Sequence, residues 1–149
     1  MTGAAEVPYQ YLVLRCVPRV DREEFLNVGV VLYSQRASFL ACASRLDDAR
    51  LRSLATDLDL DAVAQALAAV AAVCRGDESA GLAGASDLGR RFGYLSAPRS
   101  TVVQPGPVHG GVLTAVPPDP QAVLDHLLGQ LVLTPSASGD QIADQRSRR

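Results

Sequence analysis

Residues 9–33, YQYLVLRCVPRVDREEFLNVGVVLY, contain two apolar runs separated by a short charged segment. Both runs are rich in β-branched and aromatic residues, which is typical of β-strands. The first run, residues 9–17, is apolar on both of its alternating faces, so we expect it to lie inside a sheet. Pro18 ends this strand, because proline cannot donate to a ladder of backbone hydrogen bonds. A second strand is predicted over residues 28–33.

After a third predicted strand, the spacing of the apolar residues changes from that of a strand to that of a helix. A third strand over residues 38–43 follows the turn-forming segment SQRA and indicates an antiparallel meander. Asp47, and then Asp59 or Asp61, are suited to cap two helices, because their carboxylates can accept free backbone N–H groups. The second helix carries an apolar stripe at helical spacing, formed by Leu60, Val63, Leu67, Val70 and Cys74. Gly76 is predicted to end it.

The second half of the chain continues the mixed pattern. The glycine-rich residues 76–86 are predicted to form a loop, and residues 88–95 a short helix. Two further strands are predicted within residues 100–104 and 110–116. Asp119 followed by proline is a typical helix start. The apolar face of this last helix comprises Val123, Leu124, Leu127, Leu128 and Leu131.

These elements predict one α+β domain over residues 9–133, with an antiparallel sheet of about 4–5 strands and helices packed on it. Residues 1–8 are predicted to be an N-terminal arm. Residues 134–149 are polar and without periodicity, so we expect a disordered tail.

The composition is that of an ordinary soluble globular protein. Of the 149 residues, 48% are hydrophobic and 20% charged, and the net charge is −2. This charge gives no general attraction to nucleic acid or to an acidic membrane, so neither is expected as a partner. No signal peptide and no apolar run near the ~20 residues that span a bilayer are present, which predicts a cytoplasmic protein. All 14 basic residues are arginine, which indicates a GC-rich bacterial genome.

The sequence lacks the standard catalytic motifs. It has neither a phosphate-binding glycine loop nor a nucleophile elbow. Cys16, Cys42 and Cys74 are widely spaced within apolar runs, so we expect small buried side chains rather than a disulfide or a zinc site. His109 is predicted in a turn and His126 on the exposed side of the last helix, without metal-ligand spacing. We therefore expect no metal site and no cofactor.

The charged connection between the first two strands has an internal explanation. Arg15 interrupts an apolar strand, and a buried charge needs a partner. If the chain turns back after Pro18, Glu24 can approach Arg15 and form an ion pair. Asn27 can hydrogen-bond to local backbone, and Gly29 inside a strand indicates a bulge or a close backbone approach. Turn chemistry and an ion pair would explain this connection without any ligand.

The same stretch resembles the opening of the bacterial domain-of-unknown-function family DUF3037. The family pattern is Y-x-[VL]-[LV]-R-x-x-P, a charged link, and E-x-x-N-[VI]-G-[VI]-[VLI]-L. The matching residues are Tyr11, Arg15, Pro18, Glu24, Asn27, Gly29 and Leu32. A second similar patch, FGYLSAPRSTVVQPGPVHGGV, supplies Arg99, Ser100 and Gln104, and DPQAVLDHLLGQLV is similar as well. The resemblance covers residues 9–133.

The resemblance implies a genomic context rather than a mechanism. Members of the family are frequently encoded beside a HipA-like serine/threonine kinase, in a toxin–antitoxin-like context. The first hypothesis is therefore an accessory or regulatory interaction module, without catalysis of its own and with a HipA-like kinase as partner.

The alternative hypothesis is an enzyme or binding protein with an arginine-lined pocket for an anionic ligand such as a nucleotide. Arginine binds phosphate and carboxylate through parallel hydrogen bonds. The residues that would converge on this pocket are Arg15, Glu24, Asn27, Arg91, Arg99, Ser100 and Gln104. This hypothesis requires Arg15 and Arg99 to lie on the same side of the sheet.

Overall fold

A computed structural model of the chain describes residues 6–134. Its centre is a five-stranded antiparallel sheet in the order β3-β2-β1-β4, with β5 also paired to β1. The strands are β1 (Val7–Cys16), β2 (Leu26–Ser34), β3 (Phe39–Ser44), β4 (Val103–Pro105) and β5 (His109–Leu113). The predicted meander is confirmed, and the first strand lies inside the sheet as its two apolar faces indicated.

β1 pairs with two short strands along a single edge. Its C-terminal half, from Leu14 to Cys16, pairs with β4, and its N-terminal half, from Val7 to Tyr11, pairs with β5. The other edge of β1 pairs with β2. β4 and β5 therefore lie end to end along one long strand, an arrangement that the separate strand patterns did not specify.

Five α-helices surround the sheet: α1 (Asp48–Leu54), α2 (Leu60–Arg75), α3 (Gly81–Ala85), α4 (Leu88–Ser96) and α5 (Pro120–Leu131). Asp47, Asp59 and Asp119 cap their helices as predicted, each accepting a backbone N–H three residues further along. Gly76 ends α2 in a left-handed conformation, with φ of 72°. Within residues 6–134, none of the helices has the length and apolar character needed to cross a membrane.

The prediction of a loop over residues 76–86 is wrong. A 3₁₀ turn, Glu78–Ala80, and then α3 occupy most of this segment. The small residues there allow close packing: a Cβ added at Gly84 would lie 2.8 Å from both the Ala80 Cβ and the Asp77 carbonyl oxygen. Glycine in this segment therefore permits a compact turn against the end of α2, rather than an open loop.

The two faces of the sheet bury separate cores. The first face packs against α2 and α4, and its central residues are Leu12, Leu14 and Cys16. On the second face, α5 packs over β2 and β3, burying Leu124 and Leu127 against Val30 and Leu32. The apolar faces predicted for β1, α2 and α5 are confirmed. The β1 side of the second face lies beside α5 and is only partly covered by it.

Gly29 lies at an irregularity in the pairing of β1 and β2. Leu14 is opposite Gly29, but Arg15 is opposite Asn27, so Val28 is an extra residue in β2. A Cβ added at Gly29 would lie 3.0 Å from the Ala43 carbonyl oxygen and 3.2 Å from a methyl carbon of Leu14. The bulge and the close backbone approach predicted for this glycine are both confirmed.

Replacing Gly29 with alanine should destabilise the domain by about 1–3 kcal/mol, because the new methyl group meets backbone that cannot easily move. Gly93→Ala is the control, since Gly93 lies inside α4 and an added Cβ has nothing within 4 Å. That change should stabilise the domain by about 0.5–1 kcal/mol through helix propensity. Urea unfolding measures both. Equal effects of the two substitutions would contradict the packing described for Gly29.

Candidate functional site

Arg15, Asn27 and Gln104 lie in one row across the sheet. Arg15 on β1 is directly opposite Asn27 on β2 and opposite Gln104 on β4. Directly opposed residues of antiparallel strands project on the same face. The register of the central strand thus brings together three residues that are far apart in the sequence. Arg15 and Asn27 belong to the first family motif, and Gln104 belongs to the second similar patch.

The guanidinium of Arg15 is held between an aromatic ring and a glycine. Its Cζ lies 4.2 Å from the centroid of the Phe25 ring. On Gly106, an added Cβ would lie 3.1 Å from the Arg15 Nε and 3.2 Å from the Val13 carbonyl oxygen, so the guanidinium packs closely on this backbone. This Nε is buried and has no hydrogen-bond acceptor. Arg15 is therefore fixed in position by packing rather than by a charge partner.

The predicted ion pair between Arg15 and Glu24 is wrong. Glu24 instead accepts a hydrogen bond from Arg22, and both side chains are largely exposed. The connection contains the 3₁₀ turn Val20–Arg22 followed by Glu23 in a left-handed conformation, with φ of 55°. This turn leaves Glu24 beside Arg22 and places Phe25 against the arginine. A cation–π contact replaces the expected salt bridge.

Arg91 and Arg99 act at the ends of helices. Arg91 donates hydrogen bonds to the carbonyl oxygens of Val73, at 3.2 Å, and Cys74, at 2.9 Å, in the last turn of α2. Arg99 donates to the carbonyl oxygen of Tyr94 in α4 and stacks on the same residue's ring. Cations favour helix C-termini, where the last carbonyl groups lack intrahelical donors. Both arginines thus stabilise the fold.

The residues of the second hypothesis do not converge on one pocket. Arg15 lies between Leu14 and Cys16, which face the core under α2 and α4, so alternation places Arg15 on the opposite face. Arg99 lines an apolar cleft of about 190 Å³ formed with residues of α2 and α4, on the first face. Ser100 is exposed beside it. The expected pocket containing both Arg15 and Arg99 is therefore wrong.

Asn27 lines a larger cleft, of about 490 Å³, between the start of α1 and the end of α5. Its Nδ2 donates to the Leu131 carbonyl oxygen at 3.0 Å. Gln104 is similarly engaged, since its Nε2 donates to the Thr101 carbonyl oxygen at 3.0 Å. In the same cleft Arg50 donates to the Val132 carbonyl oxygen at 3.4 Å. The Asn27 and Arg50 bonds join the end of α5 to the sheet and to α1, and the Gln104 bond fixes the turn before β4; all three are structural roles.

The three cysteines differ in exposure. Cys16 and Cys74 are buried, as predicted, but Cys42 is only partly buried. The thiol of Cys74 donates a hydrogen bond to Cys42, which raises the pKa of Cys74 well above its usual value and lowers the pKa of Cys42. Burial raises the pKa of Cys16. Of the three thiols, Cys42 is the one whose pKa is lowered.

His109 is the first residue of β5, so its predicted position in a turn is wrong. Its ring stacks on Tyr11, with ring centroids 5.2 Å apart. His126 is exposed on α5, as predicted. In the part of the chain that the structure describes, no group of three or more histidine, cysteine or acidic residues is arranged to hold a metal ion.

Aromatic residues occupy the part of the second face that α5 leaves accessible. Tyr9 and Tyr11, two residues apart on β1, lie on the same face and are partly exposed, and His109 beside them is exposed. Phe25 is 45% exposed next to Arg15. We call this surface, formed by Tyr9, Tyr11, Arg15, Phe25 and His109, the open face. Reasoning from the sequence missed it, because Tyr9 and Tyr11 were counted only as part of a strand that is apolar on both faces and lies inside the sheet.

The fold and this surface define an α+β domain whose sheet has a partly uncovered aromatic face. The chain belongs to the family described as "Protein of unknown function (DUF3037)", whose model matches residues 11–132. No curated protein matches the chain significantly, and no solved structure does. The family resemblance drawn from the sequence motifs is confirmed.

Arg91→Met should destabilise the domain by about 1.5–3 kcal/mol, because the substitution removes the donor to two carbonyl groups of α2. The neighbouring Arg90 is a matched control, since its side chain is 82% exposed. Arg90→Met should change the unfolding free energy by less than about 0.5 kcal/mol. Urea unfolding compares the two variants. A loss of stability in Arg90→Met as large as in Arg91→Met would contradict this role.

Cys42 should react first with iodoacetamide at pH 8, because it is both more exposed and more readily deprotonated than Cys16 or Cys74. We expect its alkylation to be about tenfold faster or more. Peptide mass spectrometry over time measures each site. In Cys42→Ser, the native protein should resist modification, whereas the denatured protein should be alkylated at both remaining thiols. Similar rates at the three sites in native protein would contradict the assignment.

Proposed function

We propose that this chain is a cytoplasmic, non-catalytic accessory module that binds another protein through its open face. The observation that supports this proposal is the partial exposure of Tyr9, Tyr11 and Phe25 on one sheet surface beside an arginine. Tyrosine, phenylalanine and arginine are enriched in protein interfaces, whereas lysine and acidic residues are depleted. The open face has this composition.

The packing on the open face favours a preformed interface. Tyr9 lies directly over Gly111, where an added Cβ would clash with the ring. Tyr11 stacks on His109, and Arg15 on Phe25. Side chains held by neighbours lose little freedom on association, which favours binding. A partner could therefore dock without reorganising the sheet.

The partner that we propose is a HipA-like serine/threonine kinase encoded beside the gene. The support is membership of the DUF3037 family together with the genomic context that this family resemblance implies. The role would be regulatory, in a toxin–antitoxin-like arrangement. Arg91 and Arg99 are occupied by helix carbonyl groups, so they do not favour the alternative of a nucleotide pocket.

The test is affinity capture of the tagged full-length chain from its native host, followed by co-purification with the kinase encoded beside its gene. We expect a stoichiometric complex. Phe25→Ser should weaken binding about tenfold or more, because it removes an exposed aromatic anchor. Leu82→Ser is the matched control, since Leu82 is 91% exposed on α3, away from the open face, and it should bind normally.

Thermal unfolding of both variants establishes that they are folded before binding is compared. Recovery of the chain without the kinase would refute the proposed partner. Undiminished binding by Phe25→Ser together with loss in Leu82→Ser would place the interface elsewhere.

A further inference from the structure

We propose that Arg15 is a receptor for a carboxylate, and that the open face docks a partner segment carrying an aspartate or glutamate at this point. This inference rests on the proposed function for the source of the carboxylate, which it places on the partner protein. The receptor itself is a property of this chain and is argued from its contacts.

The guanidinium is already positioned for such a group. Phe25 covers it at 4.2 Å on one side, and the backbone at Gly106 closely approaches its Nε. The Nε is buried without an acceptor, whereas the terminal nitrogens are not buried in this way. The terminal nitrogens of the guanidinium are thus available to bind a ligand. Because its orientation is fixed by packing, little side-chain entropy is lost on binding.

The charge of Arg15 is not balanced by its surroundings. It belongs to none of the four ion pairs within residues 6–134. The open face contains no acidic residue; Asp21, the nearest acidic residue along the chain, pairs with Arg19, and Glu24 is bonded to Arg22. Partly desolvated charges interact more strongly than fully hydrated ones. An incoming anion would therefore be attracted to a position that no described side chain occupies.

A carboxylate fits this site better than a phosphate. Asn27 and Gln104, on either side of Arg15, are neutral, and each uses an amide N–H to reach a carbonyl group, so Arg15 is the one charge in this row of three. A single guanidinium matches the single charge of a carboxylate, with two parallel hydrogen bonds. Arg15 lines neither the 490 Å³ cleft nor the 190 Å³ cleft, so its ligand would lie on an open surface, as a protein segment does.

The first experiment tests the receptor alone, with acetate as the probe. The full-length protein is titrated at constant ionic strength, replacing chloride with acetate, and the arginine Nε–H resonances are followed by NMR. The Arg15 signal, assigned by its absence in Arg15→Lys, should shift more than that of Arg52, which is exposed and in none of the ion pairs of the described residues. Equal shifts, or a response to inorganic phosphate but not to acetate, would overturn the proposal.

The second experiment uses the partner complex. Arg15→Gln should lower the affinity about tenfold or more and reduce its salt dependence, and Arg15→Lys should restore part of the loss. Glu24→Gln is the control and should bind like the unmodified chain. Arg15→Gln should stay folded, as thermal unfolding checks, because it removes the cation–π contact with Phe25 but breaks no ion pair.

The outcomes separate this inference from the proposed function. If Phe25→Ser weakens the complex but Arg15→Gln binds within twofold, the interface stands and the carboxylate contact is refuted. If no partner is captured, the proposed function fails, and the acetate titration still decides whether Arg15 is a receptor.

Discussion

Backbone hydrogen bonding along both edges of β1 fixes where β2, β4 and β5 lie, and β3 then pairs with the outer edge of β2. One edge is paired with β2 and the other is shared by β4 and β5. An interior strand must satisfy its N–H and C=O groups in this way, since buried unpaired backbone is costly. Leu12, Leu14 and Cys16 then lie on the first face, beneath α2 and α4.

The same constraint leaves part of the second face uncovered. Alternation along β1 places Tyr11 and Arg15 opposite the first core. α5 has 12 residues and packs over β2 and β3. A helix about 10 Å wide covers roughly two strands spaced about 4.8 Å apart. Within residues 6–134, α5 is the one helix on this side, so Tyr9 and Tyr11 on β1 pack beside its core and stay partly exposed.

Local signals in the sequence predicted most of the fold. Aspartate caps, the apolar stripe of α2 and the bulge at Gly29 depend on neighbouring residues, so patterns along the chain contain them. The end-to-end placement of β4 and β5 depends on long-range pairing. Whether Arg15 meets Glu24 or Phe25 depends on how the connection turns, and the left-handed Glu23 has no clear sequence signature. Of the open face, only Arg15 was predicted as a site residue, because exposure of Tyr9, Tyr11, Phe25 and His109 depends on how far α5 extends over the sheet.

The arginines predicted to line one pocket have separate roles once their contacts are compared. Arg91 and Arg99 bind helix carbonyl groups, so their charge is used within the fold. Arg15 has a ring and a glycine for neighbours, and neither neutralises it.

Glycines beside β1 explain how the large side chains of that strand can pack close to the sheet. Gly106 leaves room for Arg15, and Gly111 leaves room for the ring of Tyr9. A side chain at either position would displace the residue above it. Gly106, just after β4, and Gly111, within β5, therefore shape the open face without contributing a functional group to it.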